Sequence, residues 1–198
     1  MNAKVLISGA GVTGLALAYW LDRAEIGADG VYSNVRKLCF DDEAAVVFPL
    51  EVVLALFLIP NLIDLKDWQL GYRENNVGYV IYPNLDQSEL RIGVGFEAPQ
   101  PALARGEIDA QKRNVAEQCA YLKGEFPRFI DAMKTTDQFY YNELAQVCMP
   151  SWFTGRVVLA GDAGYCASPF SGQGTSLGLV AHSCSRAKCC VTGTICRV

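Results

Sequence analysis

Apolar and polar positions alternate most clearly in the middle of the chain. Trp68 to Tyr72, Val77 to Tyr82 and Leu90 to Phe96 are three short runs rich in β-branched and aromatic residues. The turn-forming segments Glu74-Asn75-Asn76 and Pro83 to Ser88 separate them, which predicts an antiparallel meander. Val46 to Ile59 predicts one or two further strands. The period then changes: Val115, Cys119 and Leu122 fall on one face of a helix that Asp109 can cap, running to Lys123 with Gly124 just beyond its end. Pro127 predicts the start of a shorter helix. At the two ends the pattern is different again. Val5 to Ser8 reads as a strand and Leu15 to Arg23 as a helix, while Arg156 to Ala160, bounded by Gly155 and Gly161, reads as a buried strand with a helix beginning near Gly174 or Thr175.

Composition narrows the classes. The 198 residues are 51% hydrophobic and 19% charged, which is the make-up of a folded domain and not of a disordered chain. A net charge of −4 without a basic block argues against nucleic-acid partners. The segment Ala44 to Ile59 is apolar, but Pro49 and Glu51 interrupt it and it is shorter than the ~20 residues of a membrane span, so no span is expected. Met1-Asn2-Ala3-Lys4 leads straight into the first strand, so a cytoplasmic location is expected. Eight cysteines include no paired CxxC spacing, so no metal ligands are assigned. His182 is the only histidine, which sets aside Ser-His-Asp and Cys-His hydrolases.

Candidate chemistry lies in three glycine-containing stretches. Gly9-Ala10-Gly11-Val12-Thr13-Gly14 follows the first strand and opens the first helix. Gly9 permits a tight turn, Gly11 lets a pyrophosphate approach and Gly14 allows close helix packing; a purely structural turn is the competing reading. The second strand of a dinucleotide unit, with its acidic end about 20 residues on, is not legible after Arg23, so the βαβ unit reads as incomplete. The second stretch is Ile26 to Arg36, containing Asp29-Gly30, a favoured turn, with Ser33 as the N-cap of a short helix. The third is Gly161-Asp162 followed by Pro169, Gly172, Gln173 and Gly174. There the strand delivers Asp162 to a loop of small residues, and the unpaired amides of the next helix suit an electron-rich ligand atom.

Taken in this order, the three stretches resemble the GxGxxG, DG and GD fingerprints of the FAD-dependent class A flavoprotein monooxygenases, the p-hydroxybenzoate hydroxylase-like aromatic hydroxylases. The resemblance implies that Gly9, Gly11 and Gly14 meet the FAD pyrophosphate, that Asp29 and Arg36 lie near phosphates, and that Gly161 and Asp162 meet the ribitol or ribose region. Pro169, Gly172, Gln173 and Gly174 would lie along the isoalloxazine ring. It also implies NAD(P)H as reductant, molecular oxygen as co-substrate and an aromatic or polycyclic small molecule as the group hydroxylated. The flavin carries that chemistry, so no catalytic side chain is assigned. Tyr79, Tyr82, Phe96, Phe139, Tyr140 and Tyr141 are either core residues or the lining of an aromatic pocket.

The expected fold is α/β. An incomplete FAD/NAD(P)-binding Rossmann-like lobe forms from residues 1–40 and 151–180, an antiparallel-sheet substrate lobe from 41–150, and residues 181–198 make an irregular tail. The interval from Asp29 to Asp162 is about that of the family, whereas Gly14 to Asp29 is far shorter, as if a block were excised near Arg23 to Ile26. That loss would leave an apolar edge beside Leu15, Leu17 and Trp20, so self-association is expected. Two other readings stand beside the monooxygenase: an inactive remnant or mis-spliced form acting as a structural or interaction module, and an NAD-dependent dehydrogenase. The missing acid-bearing strand and the flavin-like third stretch both disfavour the dehydrogenase.

Overall fold

A computed structural model describes residues 7–8, 25–27, 29–41, 46–98, 103–104, 106–155 and 157–179. The chain divides into two units, Met1–Leu50 with Ala145–Val198, and Glu51–Leu144.

The Glu51–Leu144 unit is built on the predicted meander. Strand β3 covers Val46–Pro60, β4 Leu70–Glu74, β5 Val77–Pro83, β6 Glu89–Glu97 and β7 Phe139–Cys148, in the sheet order β4-β5-β6-β3-β7. Pairing is antiparallel between β4 and β5, β5 and β6, and β3 and β6. The Val46 to Ile59 run forms a single strand, which passes through Pro49 and a positive φ of 55° at Glu51.

Alternation then decides which residues are core. Val53, Ala55, Phe57 and Ile59 of β3 stand beside Phe96, Val94, Ile92 and Leu90 of β6, all at most 1% exposed. Helix α2, Ile108–Gln118, and helix α3, Phe126–Thr135, cover this face with Val115, Phe126, Phe129 and Met133. Glu107, not Asp109, occupies the N-cap of α2; Asp109 sits in the first turn, where a carboxylate still complements the helix dipole. The helix ends at Gln118, short of the expected Lys123, although Cys119 and Leu122 remain buried as the spacing predicts.

The six aromatic candidates divide between the two faces. Tyr79 packs on Phe126 with ring centroids 4.5 Å apart, and Tyr141 lies against Phe96 and Phe139 on the helix-covered side. The Tyr141 hydroxyl donates to Asn114 Oδ1 at 3.0 Å, and burial, reinforced by the charge of Glu143, pushes its pKa up to about 12. Tyr82 and Tyr140 have the opposite parity. On the Tyr82 face, Leu54 and Leu56 of β3 and Val80 of β5 stand beside Gly93 and Gly95, and Arg91 lies opposite Tyr82. A Cβ at Gly93 would meet Leu56 Cδ2 at 3.0 Å and Val80 Cγ1 at 3.1 Å. Gly93→Ala is therefore expected to cost about 1 kcal/mol through overpacking. Equal denaturant midpoints for variant and wild type would contradict that tight fit.

The other unit carries a four-stranded sheet in the order β1-β2-β9-β8, from Ile7–Ser8, Glu25–Gly27, Val157–Leu159 and Phe153–Thr154. Strand β2 runs parallel to both β1 and β9. This corrects the reading that no parallel strand follows the first helix. Glu25–Gly27 pairs Ile26 with Ile7 on one side and with Val158 on the other. Asp29 thus has a strand leading into it. The glycine turn at Gly9, Gly11 and Gly14, the Leu15 to Arg23 helix and the 181–198 tail lie outside the described residues. Among the described residues no helix is long and apolar enough to cross a membrane, and no group of three or more His, Cys, Asp or Glu residues is placed to hold a metal.

Candidate functional site

Adjacent parallel strands deliver their C-terminal ends to one place. Beyond β2 come Asp29, Gly30 and helix α1, Asn34–Cys39; beyond β9 come Gly161, the short helix α4, Asp162–Tyr165, and the small-residue loop. Loops at the carboxyl ends of neighbouring parallel strands form the usual ligand crevice of open α/β sheets.

The Asp29 segment is organised internally. Ser33 is the N-cap of α1, as expected, with its Oγ accepting from the Arg36 amide at 3.0 Å. One Asp29 carboxylate oxygen accepts from the Ser33 hydroxyl, and the other accepts from the amides of Asn34 at 2.7 Å and Val35 at 3.2 Å. Both oxygens are therefore engaged by the helix start. Burial acts to raise the Asp29 pKa, but the Ser33 hydroxyl and the two amides outweigh it and hold the carboxyl below its ordinary 3.8. A carboxyl depressed on folding contributes stability that is present above its unfolded pKa and is lost as pH falls through the folded value, so this loss belongs below about pH 4. Asp29→Asn is expected to lower the melting temperature at pH 7 and to flatten its decline below pH 4. Parallel melting profiles across that range would contradict the assignment.

Arg36 joins the two segments. Its side chain is 5% exposed, and the guanidinium donates to Ala163 O at 2.6 Å and to Val31 O at 2.5 Å. Burial draws its pKa down, and the Asp29 charge opposes that shift. Arg36 is thus a strut between the Asp29 segment and the loop after β9, a role that sequence spacing does not reveal.

The loop itself is shaped by three backbone conformations of positive φ. Gly161 at 64° turns the chain out of β9, and its carbonyl accepts from the amides of Gly164 and Tyr165 at 3.1 Å. Asp162 is exposed at the start of α4. Cys166 is buried with its thiol 3.6 Å from Ala145 O; burial raises its pKa and the neighbouring Asp162 charge adds to the rise. Ser168, at φ 73°, precedes a single 3-10 turn, Pro169–Ser171, and accepts from the Phe170 amide through its hydroxyl. Gly172 is left-handed at φ 64°. Residues 174–179 are helical, with the Leu177 amide bonded to Gln173 O at 2.8 Å. Among the described residues nothing stands within 4 Å of a Cβ built at Gly172 or Gly174, so a stretch of backbone is presented bare. The loop thus presents an exposed carboxylate as acceptor, bare glycine backbone and the amides of a helix start.

The comparisons with known proteins agree in direction. No family model matches the chain. An uncharacterized protein of Mycobacterium tuberculosis is 35% identical over 155 residues, covering 78% of this chain and 42% of its own length. A flavin-dependent monooxygenase of Legionella longbeachae is 32% identical over 155 residues, covering 78% of this chain and 40% of its own. The chain is similar to flavin-dependent monooxygenases. Among solved structures, the tetracycline destructase Tet(55) superposes with a TM-score of 0.78 at 30% identity, over 84% of this chain and 44% of that one. Klebsiella pneumoniae HpxO, solved with FAD and uric acid, shares the fold at a TM-score of 0.62 and 20% identity, over 81% of this chain and 41% of that one. The chain spans about 40% of the length of the monooxygenases and other curated relatives it matches.

Proposed function

We propose that the chain binds FAD and belongs to an NAD(P)H-dependent monooxygenase that hydroxylates an aromatic or polycyclic small molecule. The observation that carries the reading is the Arg36 strut: it ties the Asp29 segment to the Asp162 loop at the ends of two adjacent parallel strands, in the order that the monooxygenase resemblance requires. In this reading β1, β2 and β9 belong to a Rossmann-like lobe, with Gly9, Gly11 and Gly14 at the pyrophosphate. Gly161 and Asp162 hold the ribitol or ribose hydroxyls, and Pro169, Gly172, Gln173 and Gly174 lie along the ring, where the helix start favours negative charge. Asp29 and Arg36 act one step back, shaping the loops that approach the phosphates. Bound FAD would supply the redox chemistry, accepting hydride from NAD(P)H and activating oxygen; one oxygen atom enters the substrate and the other leaves as water.

The reading as an inactive remnant is not favoured. It rested on half of the cofactor site being absent, and β2 supplies a parallel strand before Asp29. Incubating the chain with NAD(P)H and FAD under air tests the proposal. Oxygen-dependent NAD(P)H oxidation above the rate of free FAD supports it, and a rate equal to that of free FAD contradicts it.

A further inference from the structure

Strand β4 is the one strand of the five-stranded sheet whose side chains are exposed along its whole length. Leu70 is 43% exposed and Tyr72 60% exposed, although both have the parity of the helix-covered core face. They border a cleft of about 480 Å³ between β4, β5 and the start of α3. Tyr79, Ile81, Phe126 and Phe129 also line it. The Tyr72 and Tyr79 rings stand 5.8 Å apart and Tyr79 and Phe126 4.5 Å apart, so aromatic rings cluster along the cleft. A volume in this range suits a two- or three-ring molecule.

The charges at the rim select its sign. Glu125 is paired with Arg128, whereas Lys123 lines the cleft and has no partner among the described residues. Gln69 adds a neutral amide. An anion is therefore drawn to this rim, and a flat apolar body to the rings beneath it. We propose that the cleft is a binding site for a small aromatic carboxylate, on the face of the sheet turned away from Leu56, Val80 and Tyr82. Covering Leu70 and Tyr72 removes apolar surface from water, and the carboxylate pairs with the Lys123 ammonium.

The test is a titration of the full chain with 2-naphthoate, followed by the ligand's fluorescence, with 2-acetonaphthone as the uncharged comparison. Saturable binding of one naphthoate is expected. Lys123→Met keeps the stem and removes the charge; it should weaken naphthoate about three- to fivefold, as for an exposed ion pair, and leave 2-acetonaphthone unchanged. Tyr72→Ala, at an exposed position, should weaken both. Saturating FAD should leave naphthoate affinity unaltered. Non-saturable binding, insensitivity to both substitutions, or displacement by FAD would overturn the proposal. None of these outcomes depends on monooxygenase activity.

Discussion

Arg36→Ala is expected to destabilise the unit carrying the parallel sheet by about 2–4 kcal/mol, the largest loss among the substitutions considered. The guanidinium is buried and makes two charge-assisted hydrogen bonds, to Ala163 O and Val31 O. Each such bond contributes ~1.5–3 kcal/mol, and truncation leaves two carbonyls without a donor while emptying the space that the side chain fills. The two losses share one side chain, so they do not add in full. Arg36→Lys should recover only part, because a single ammonium cannot reproduce the planar fork that spans two separate carbonyls. Thermal melting of the three proteins at pH 7 checks this ordering. A lysine variant indistinguishable from wild type would show that the fork geometry is immaterial.

The middle of the chain was legible because its alternation is strong and its turns carry Asn, Pro and Ser at the breaks. Residues 70–97 fold as the predicted meander, and Ser33 caps α1 as its residue type suggests. Strand β2 was not legible. Glu25–Gly27 offers three residues, one of them glycine, with no alternation to read, and only its pairing on both sides makes it a strand. The aromatic candidates stayed open between core and pocket for a related reason: Tyr79, Phe96 and Tyr141 belong to the helix-covered face while Tyr82 does not, and that parity is fixed by register, which composition does not contain. In the candidate site, Gly161, Asp162, Pro169, Gly172 and Gly174 were recognisable as a group. The strut made by Arg36 was hidden, because its partners are backbone carbonyls that leave no mark in the sequence.

Asp162→Ala is the second large effect, a ten- to hundredfold loss of FAD affinity. Asp162 is exposed at the start of α4, ahead of the loop that carries the bare glycine backbone of Gly172 and Gly174. A hydrogen bond to a carboxylate contributes ~1.5–3 kcal/mol, which sets that range. Asp29→Ala should cost less affinity and more stability. The reason is the engagement of both Asp29 oxygens by Ser33, Asn34 and Val35, and not the loss of a leading strand, since β2 supplies one. Equal losses of affinity for the two alanine variants in a flavin fluorescence titration would reverse this ranking.

The central claim, that FAD binds at the Asp162 to Gly174 loop, is tested most directly by titrating FAD into the wild-type chain and into Asp162→Ala and following flavin fluorescence. The wild type should show saturable, single-site quenching with weak affinity. Asp29, the carboxylate directly after β2, is engaged by Ser33, Asn34 and Val35 and is not free to hold the adenosine ribose. The purified protein should accordingly be colourless and lose added FAD on gel filtration, and Asp162→Ala should bind ten- to hundredfold more weakly. Absence of saturable quenching in the wild type, or equal affinity in the two proteins, would contradict the account.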